Sequence, residues 1–281
     1  FSFPGKKSHQ FDGNNDKDVS IGVDSWQWKV GDTTASQSIT RSGVHTNYCV
    51  LAVPAAPWYW YNDEKTHPWV SALEIVCNPA PWAGGTTDKG SAWTRITGAI
   101  NGATNASGAF VFTYVSGAKY LNPAPAPNTV YFTSCIDLLN GGSGRGPEVN
   151  CLDCADFVVT FGNLVARKLA IRDVTPISQQ GIACNAIILI GSSNWTSNKY
   201  WSVHCVAAQN NPPGEPAVYD ACLKVDDGPD NDPRYEPRGP KLPTGLPFAD
   251  STTNEPPYAY DEYLAMPFYL GISAPVIFPI E

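Results

Sequence analysis

Cys151 follows a stretch, 140–147 (N-G-G-S-G-R-G-P), in which four of eight residues are glycine, so no helix persists through it. Beyond it Cys154, Val158, Phe161, Val165 and Leu169 recur at spacings of three and four, the stripe of an α-helix that begins near Cys151. A thiol at a helix start has a lowered pKa, because unpaired backbone N–H groups and the helix dipole favour the thiolate. It then acts as a nucleophile, provided a histidine lies within hydrogen-bond reach and a carboxylate fixes the ring. Among the four histidines, His204 lies in the strand-like run W-S-V-H-C-V-A, and Asp220 lies in the next such run, A-V-Y-D-A-C-L. The intervening N-N-P-P-G has turn chemistry, and pairing of the two runs brings the side chains together.

The elements that must hold these residues are also legible. Cys151, Ala155, Val159, Gly162 and Ala166 form a neighbouring small-residue face of the same helix, which allows close approach to a sheet. The run F-V-F-T-Y-V at 110–115 predicts a strand, and 131–139 predicts a short helix. Three further strands are expected at 185–191, 201–207 and 217–225, forming an antiparallel meander. Residues 1–95 hold seven of the nine tryptophans and short apolar runs such as 49–53 and 72–77, cut by Pro and Gly, and read as a strand-and-loop region. Residues 226–281 are rich in Pro, Asp and Gly, yet their aromatic end is too apolar to float in water. They are expected to wrap the core with little regular structure. The sequence has no internal repeat. The expected architecture is therefore α+β, with a β-rich N-terminal region (1–95), a core (96–225) whose central helix bears Cys151 on an antiparallel sheet, and a Pro-rich C-terminal extension (226–281).

The order helix-starting Cys, strand His, next-strand Asp resembles the transglutaminase-like superfamily. Papain-like enzymes share the chemistry but usually place a glycine-flanked Cys near the chain start. The family's nucleophile motif commonly has an Asp two residues on, an Ala four on, and a helix ending in Arg-x-x-Gly-Ile. Here the matching positions are Cys151, Asp153, Ala155 and Arg167-Lys-Leu-Ala-Ile171, with Ala170 in place of glycine and a helix about a turn longer. Cys205 stands after His204 where an aromatic is frequent, and Asp220 lacks the usual Pro-Thr. The resemblance spans roughly residues 110–225. It implies a papain-like core and acyl transfer through a thioester: Cys151 attacks an amide carbonyl, His204 transfers the proton and Asp220 orients the ring. The backbone N–H of Cys151 is one expected oxyanion donor, and Trp93 is an upstream candidate for the other. Hydrolysis of a peptide or protein amide is favoured over crosslinking, since no site for a lysine co-substrate is evident.

Composition narrows the setting. Eighteen Lys and Arg against 26 Asp and Glu, a net charge of −8, leave no basic stripe for nucleic acid. No run approaches the roughly 18 apolar residues of a membrane span. The chain begins at Phe1 with no initiator Met and no basic-plus-apolar leader, as expected if a signal peptide has been removed or the sequence trimmed. Eight cysteines spread along the chain suit disulfides in an oxidising compartment better than a metal, and the sequons at Asn105 and Asn194 suit a glycoprotein. Neither a metal nor another cofactor is expected. The alternatives are a non-catalytic, disulfide-rich binding protein with Cys151 paired, or a redox Cys151-x-x-Cys154 protein. Two bland features have specific counterparts: a Trp26, Trp58, Trp60 and Trp69 platform for stacking sugars, and acidic loops at 12–18 and 226–232 for calcium. Core packing and solvated turns are the commoner uses of such residues.

Overall fold

The computed structural model describes residues 18–30, 39–54, 69–122, 129–176, 181–197, 199–210, 212–228, 236–249, 258–265, 270–278 and 280. It is mixed α and β. Strands β1 (Ser20–Val30) and β2 (Ile39–Cys49) form an antiparallel hairpin, followed by helices α1 (Val70–Val76) and α2 (Lys89–Asn101). Short strands β3 (Thr113–Tyr114), β4 (Leu121–Asn122) and β5 (Thr129–Val130) lead to α3 (Phe132–Leu139). Strand β6 (Glu148–Val149) then enters the central helix α4 (Cys151–Ala166). The expected run at 72–77 is helical rather than extended: Ala72, Leu73, Ile75 and Val76 are buried on one side of α1. The expected boundary at 95/96 falls inside α2, whose Trp93, Ile96 and Ile100 share one core with α4. Of the tryptophan platform, Trp58 and Trp60 and the side chain of Trp26 lie outside the described residues, as do 229–232 of the second acidic loop and most of the first.

Strands β7 (Leu169–Pro176), β11 (His204–Gln209), β12 (Ala217–Tyr219), β15 (Thr244–Pro247) and β16 (Leu270–Ile272) build the main sheet, antiparallel in the order β15-β12-β11-β7-β16. Between β7 and β11 lie β8 (Ile182–Ala183), β9 (Ile187–Leu189) and β10 (Tyr200–Trp201). Strand β9 does not join the expected meander; it pairs with β13 (Leu223–Asp226), itself flanked by β14 (Pro240–Lys241), in a second sheet. Alternation along β11 splits the core into two layers. Cys205 and Ala207 pack with α4, whereas Val206 and Ala208 pack on the far side with Phe248 and with Tyr260, Tyr263 and Leu264 of α5 (Tyr260–Leu264).

The helical stripe expected to run to Leu169 stops earlier. Arg167 (φ 42°) and Lys168 (φ 80°) are left-handed, and they turn the chain so that Leu169 opens β7. Asn163 fastens this corner, donating to the Leu169 carbonyl and accepting its N–H, both at 2.9 Å. Sixteen helical residues span about 24 Å and eight extended residues about 26 Å, so the far end of β7 returns to the start of α4. His204 pairs with Val174 near that far end. Helix, corner and register together carry His204 back to Cys151.

Candidate functional site

The start of α4 is fixed by a capping box. The Asn150 side chain accepts the Asp153 N–H and the Asp153 carboxylate accepts the Asn150 N–H, both at 3.0 Å. Asp153 also accepts the backbone N–H groups of Lys119 and Tyr120 at 2.9 Å, tying the preceding loop to the helix. Cys151 is thereby held at the first helical position, 9% exposed, where the helix dipole favours a negative sulfur.

Two side chains, His204 and Cys205, reach it from the sheet. His204, fully buried, bonds Asp220 through Nε2 at 2.8 Å. Its Nδ1 is buried without a hydrogen-bond partner, and the Cys151 thiol is close enough to the ring to raise its affinity for a proton. A thiol–imidazole bond is commonly loose in an unliganded site. Cys205, facing α4, meets Cys151 directly and also donates to Asp173 Oδ1 at 3.2 Å.

The electrostatics sort the two thiols. Hydrogen bonding from Cys205 is the main influence holding Cys151 well below an ordinary thiol pKa; burial opposes it, and the His204 ring adds to it. Cys205 is pushed upward by the same contact, by burial and by the Asp173 carboxylate beside it. Cys151 is therefore the more acidic of the two thiols. Burial alone would depress His204, but the charge and hydrogen bond of Asp220, helped by Cys151, outweigh it and raise the ring to about 10.

Asp220 is held on every side. It interrupts the expected strand at 217–225, because its Oδ1 accepts the Cys222 N–H two residues on at 2.8 Å, a local bond that replaces a ladder bond. Its Oδ2 receives His204 and, at 2.7 Å, the hydroxyl of Tyr260. Trp201 stacks on the His204 ring, with centroids 4.7 Å apart and planes 12° apart. Sequence reasoning missed Tyr260, Trp201 and Asp173, which reach the site through pairings without local signature. It did note Cys205, as a departure at the position after His204.

Trp93, the upstream oxyanion candidate, lies elsewhere. Its indole N–H donates to the Gly162 carbonyl at 3.4 Å, about three turns along α4 from Cys151, and its ring packs edge-on against Tyr219. The absence of a side chain at Gly162 is what admits the indole: a Cβ there would lie 3.2 Å from Trp93 and 2.5 Å from Leu169. Trp93 is a packing residue.

No two of the eight cysteines lie at disulfide bonding distance. Cys154 turns to Cys222 rather than to Cys151, and burial raises both thiols. Cys77, beside Cys49, is raised to about 12 by burial. These buried thiols pack as small hydrophobes. Both sequon asparagines, Asn105 and Asn194, are exposed. Among the described residues no helix is long and apolar enough to cross a membrane, and no three His, Cys, Asp or Glu side chains are grouped to hold a metal ion. No family model, curated protein or solved structure matches the chain.

Proposed function

We propose that the protein is a cysteine-dependent amide hydrolase or acyltransferase of transglutaminase-like type, built on a papain-like core, working through a thioester and acting outside the cell. The observation that carries this reading is the buried His204–Asp220 bond of 2.8 Å beside the helix-start Cys151, whose thiol and the His204 ring act on each other's protonation. In the first half-reaction the Cys151 sulfur attacks the amide carbon, and the carbonyl electrons move to oxygen. The tetrahedral adduct collapses as His204 protonates the leaving nitrogen, releasing an amine and leaving the thioester. Water, deprotonated by His204, then attacks the thioester and returns the thiolate and the acid. Asp220 keeps the ring oriented through Nε2, which leaves Nδ1 free to exchange the proton. The Asp153 carboxylate, two residues after the thiol, shapes the site by capping rather than by chemistry.

The test is turnover of glutamine-containing peptides, followed by mass spectrometry, with acid quenching to trap an acyl adduct on Cys151. His204→Ala is expected to lower hydrolysis or amine incorporation by roughly 10²–10⁴-fold while the fold stays cooperative. Unchanged turnover in that variant rejects the assignment.

The contact between Cys151 and Cys205 favours a second reading, a secreted, disulfide-rich binding protein in which these two sulfurs are joined. In that protein Cys151 resists alkylation until a reductant is added. In the enzyme it reacts at once.

A further inference from the structure

Thioester chemistry requires a second hydrogen-bond donor at the developing oxyanion, besides the backbone N–H of Cys151, and Trp93 does not supply it. A different side chain stands at the site. Tyr114 belongs to β3, which runs parallel to β6 with Tyr114 opposite Val149, two residues before Cys151. The Tyr114 N–H is bound to the Ile190 carbonyl at 3.1 Å, and the Val115 N–H to the Val149 carbonyl at 2.8 Å. The same short ladder thus positions both Tyr114 and the entry to α4.

The hydroxyl of Tyr114 is oriented by a second residue of the site. Trp201 Nε1 donates to the phenolic oxygen at 3.1 Å, while the Trp201 ring lies flat on His204. Because the indole can only donate, it occupies an acceptor lone pair of the phenol and leaves the phenolic proton uncommitted. Tyr114 is half-buried, at the edge of the site rather than inside the core. Its hydroxyl is joined to the site through the Trp201 indole, one ring away from His204. Burial first, and then the neighbouring Cys222 and Cys151 sulfurs, raise the phenol to about 12, so the proton stays on oxygen across the physiological range. Lys199, with Nζ 5.6 Å from the Tyr114 ring centroid, places a cation on this side of the site.

We propose that Tyr114 is a catalytic residue, donating its phenolic O–H to the carbonyl oxygen of the acyl group while Cys151 attacks, with Trp201 as the positioning residue that aims it. The proposal rests on the thiol reading of Cys151 and deepens it. When the C–S bond forms, the carbonyl π electrons move to oxygen. The Tyr114 hydrogen bond strengthens as that charge develops and relaxes when the leaving group departs, with no net proton transfer to or from the phenol.

Two reagents separate this role from thiol activation. Iodoacetamide alkylates a thiolate by displacement at a saturated carbon and forms no oxyanion. With p-nitrophenyl acetate, Cys151 attacks a carbonyl and an oxyanion forms before p-nitrophenolate leaves. In Tyr114→Phe the acetylation rate of Cys151, read by p-nitrophenolate release and peptide mapping, is expected to fall roughly a hundredfold, the scale of losing one oxyanion donor. The iodoacetamide rate of the same cysteine should stay within roughly twofold, because thiolate character is retained. Trp201→Phe, which keeps a ring on His204 but lacks the N–H, should shift the ratio of the two rates in the same direction by less. An unchanged acetylation rate in Tyr114→Phe, or equal losses with both reagents, overturns the role of Tyr114 and leaves the thiol reading standing. A wild-type Cys151 that reacts with neither reagent removes both.

Discussion

Cys151 and His204 shift each other's protonation in opposite directions, and together they set their part of the stability profile. An unfolded chain titrates its histidine near 6.5 and its thiol near 8.5. Folded, the thiol is held far lower, first by Cys205 and then by His204, and the ring is raised to about 10, chiefly by Asp220. Below pH 6.5 the unfolded pair binds more protons than the folded pair, so the two groups add stability as pH rises. Between about 6.5 and 8.5 the counts match, since the unfolded thiol keeps the proton that the folded imidazole keeps. Above about 8.5 only the folded state holds a proton, and the stability that the raised histidine contributes is lost as pH passes through about 10. Thermal melting of the wild type should therefore fall between pH 8.5 and 10, and Asp220→Asn, which removes the charge that raises the ring, should flatten that fall. Equal slopes in the two proteins would separate His204 protonation from Asp220.

The elements are held by short polar devices, and α4 depends most on its first turn. Asn150→Ala removes one half of the capping box and leaves the Asp153 N–H without its partner. It is expected to cost about 0.5–2 kcal/mol in chemical denaturation. A variant that also slows alkylation of Cys151 would show that the cap positions the thiol; wild-type stability would show that the bonds from Lys119 and Tyr120 to Asp153 suffice. The start of α4 was legible because glycines cannot continue a helix and because the apolar stripe begins at once. Its end was not, since Leu169 keeps the helical spacing although Arg167 and Lys168 adopt left-handed backbone. That corner hid β7, the strand that aligns β11 with the helix. The split of 217–225 was equally hidden, because it depends on the Asp220 carboxylate claiming a nearby backbone N–H. Residue type and order nonetheless singled out Cys151, His204 and Asp220, the last two of which pair at 2.8 Å, while Tyr260, forty residues beyond Asp220, had no sequence signal that joined it to them.

At the scale of the molecule the C-terminal residues are a structural part of the site. Strands β15 and β16 form the two edges of the main sheet. All five residues of α5 are buried, Asn185 donates to the Glu262 and Tyr263 carbonyls at its end, and Tyr260 reaches Asp220. Prolines and acids gave this region the look of an unstructured wrap, but its aromatic residues supply the far layer of the core. Above it the sheet, and above that α4, place one acidic thiol among seven others, several of which burial drives the opposite way. The most direct test is a competition among all eight. Native protein is exposed briefly to iodoacetamide at a series of pH values, denatured, labelled with a second reagent and mapped by mass spectrometry. Cys151 is expected to be alkylated ahead of every other cysteine, at a rate already level by pH 7 rather than rising toward the ordinary thiol pKa near 8.5. A Cys151 found joined to Cys205, or alkylated only at the pace and pH of an ordinary thiol, would contradict the account.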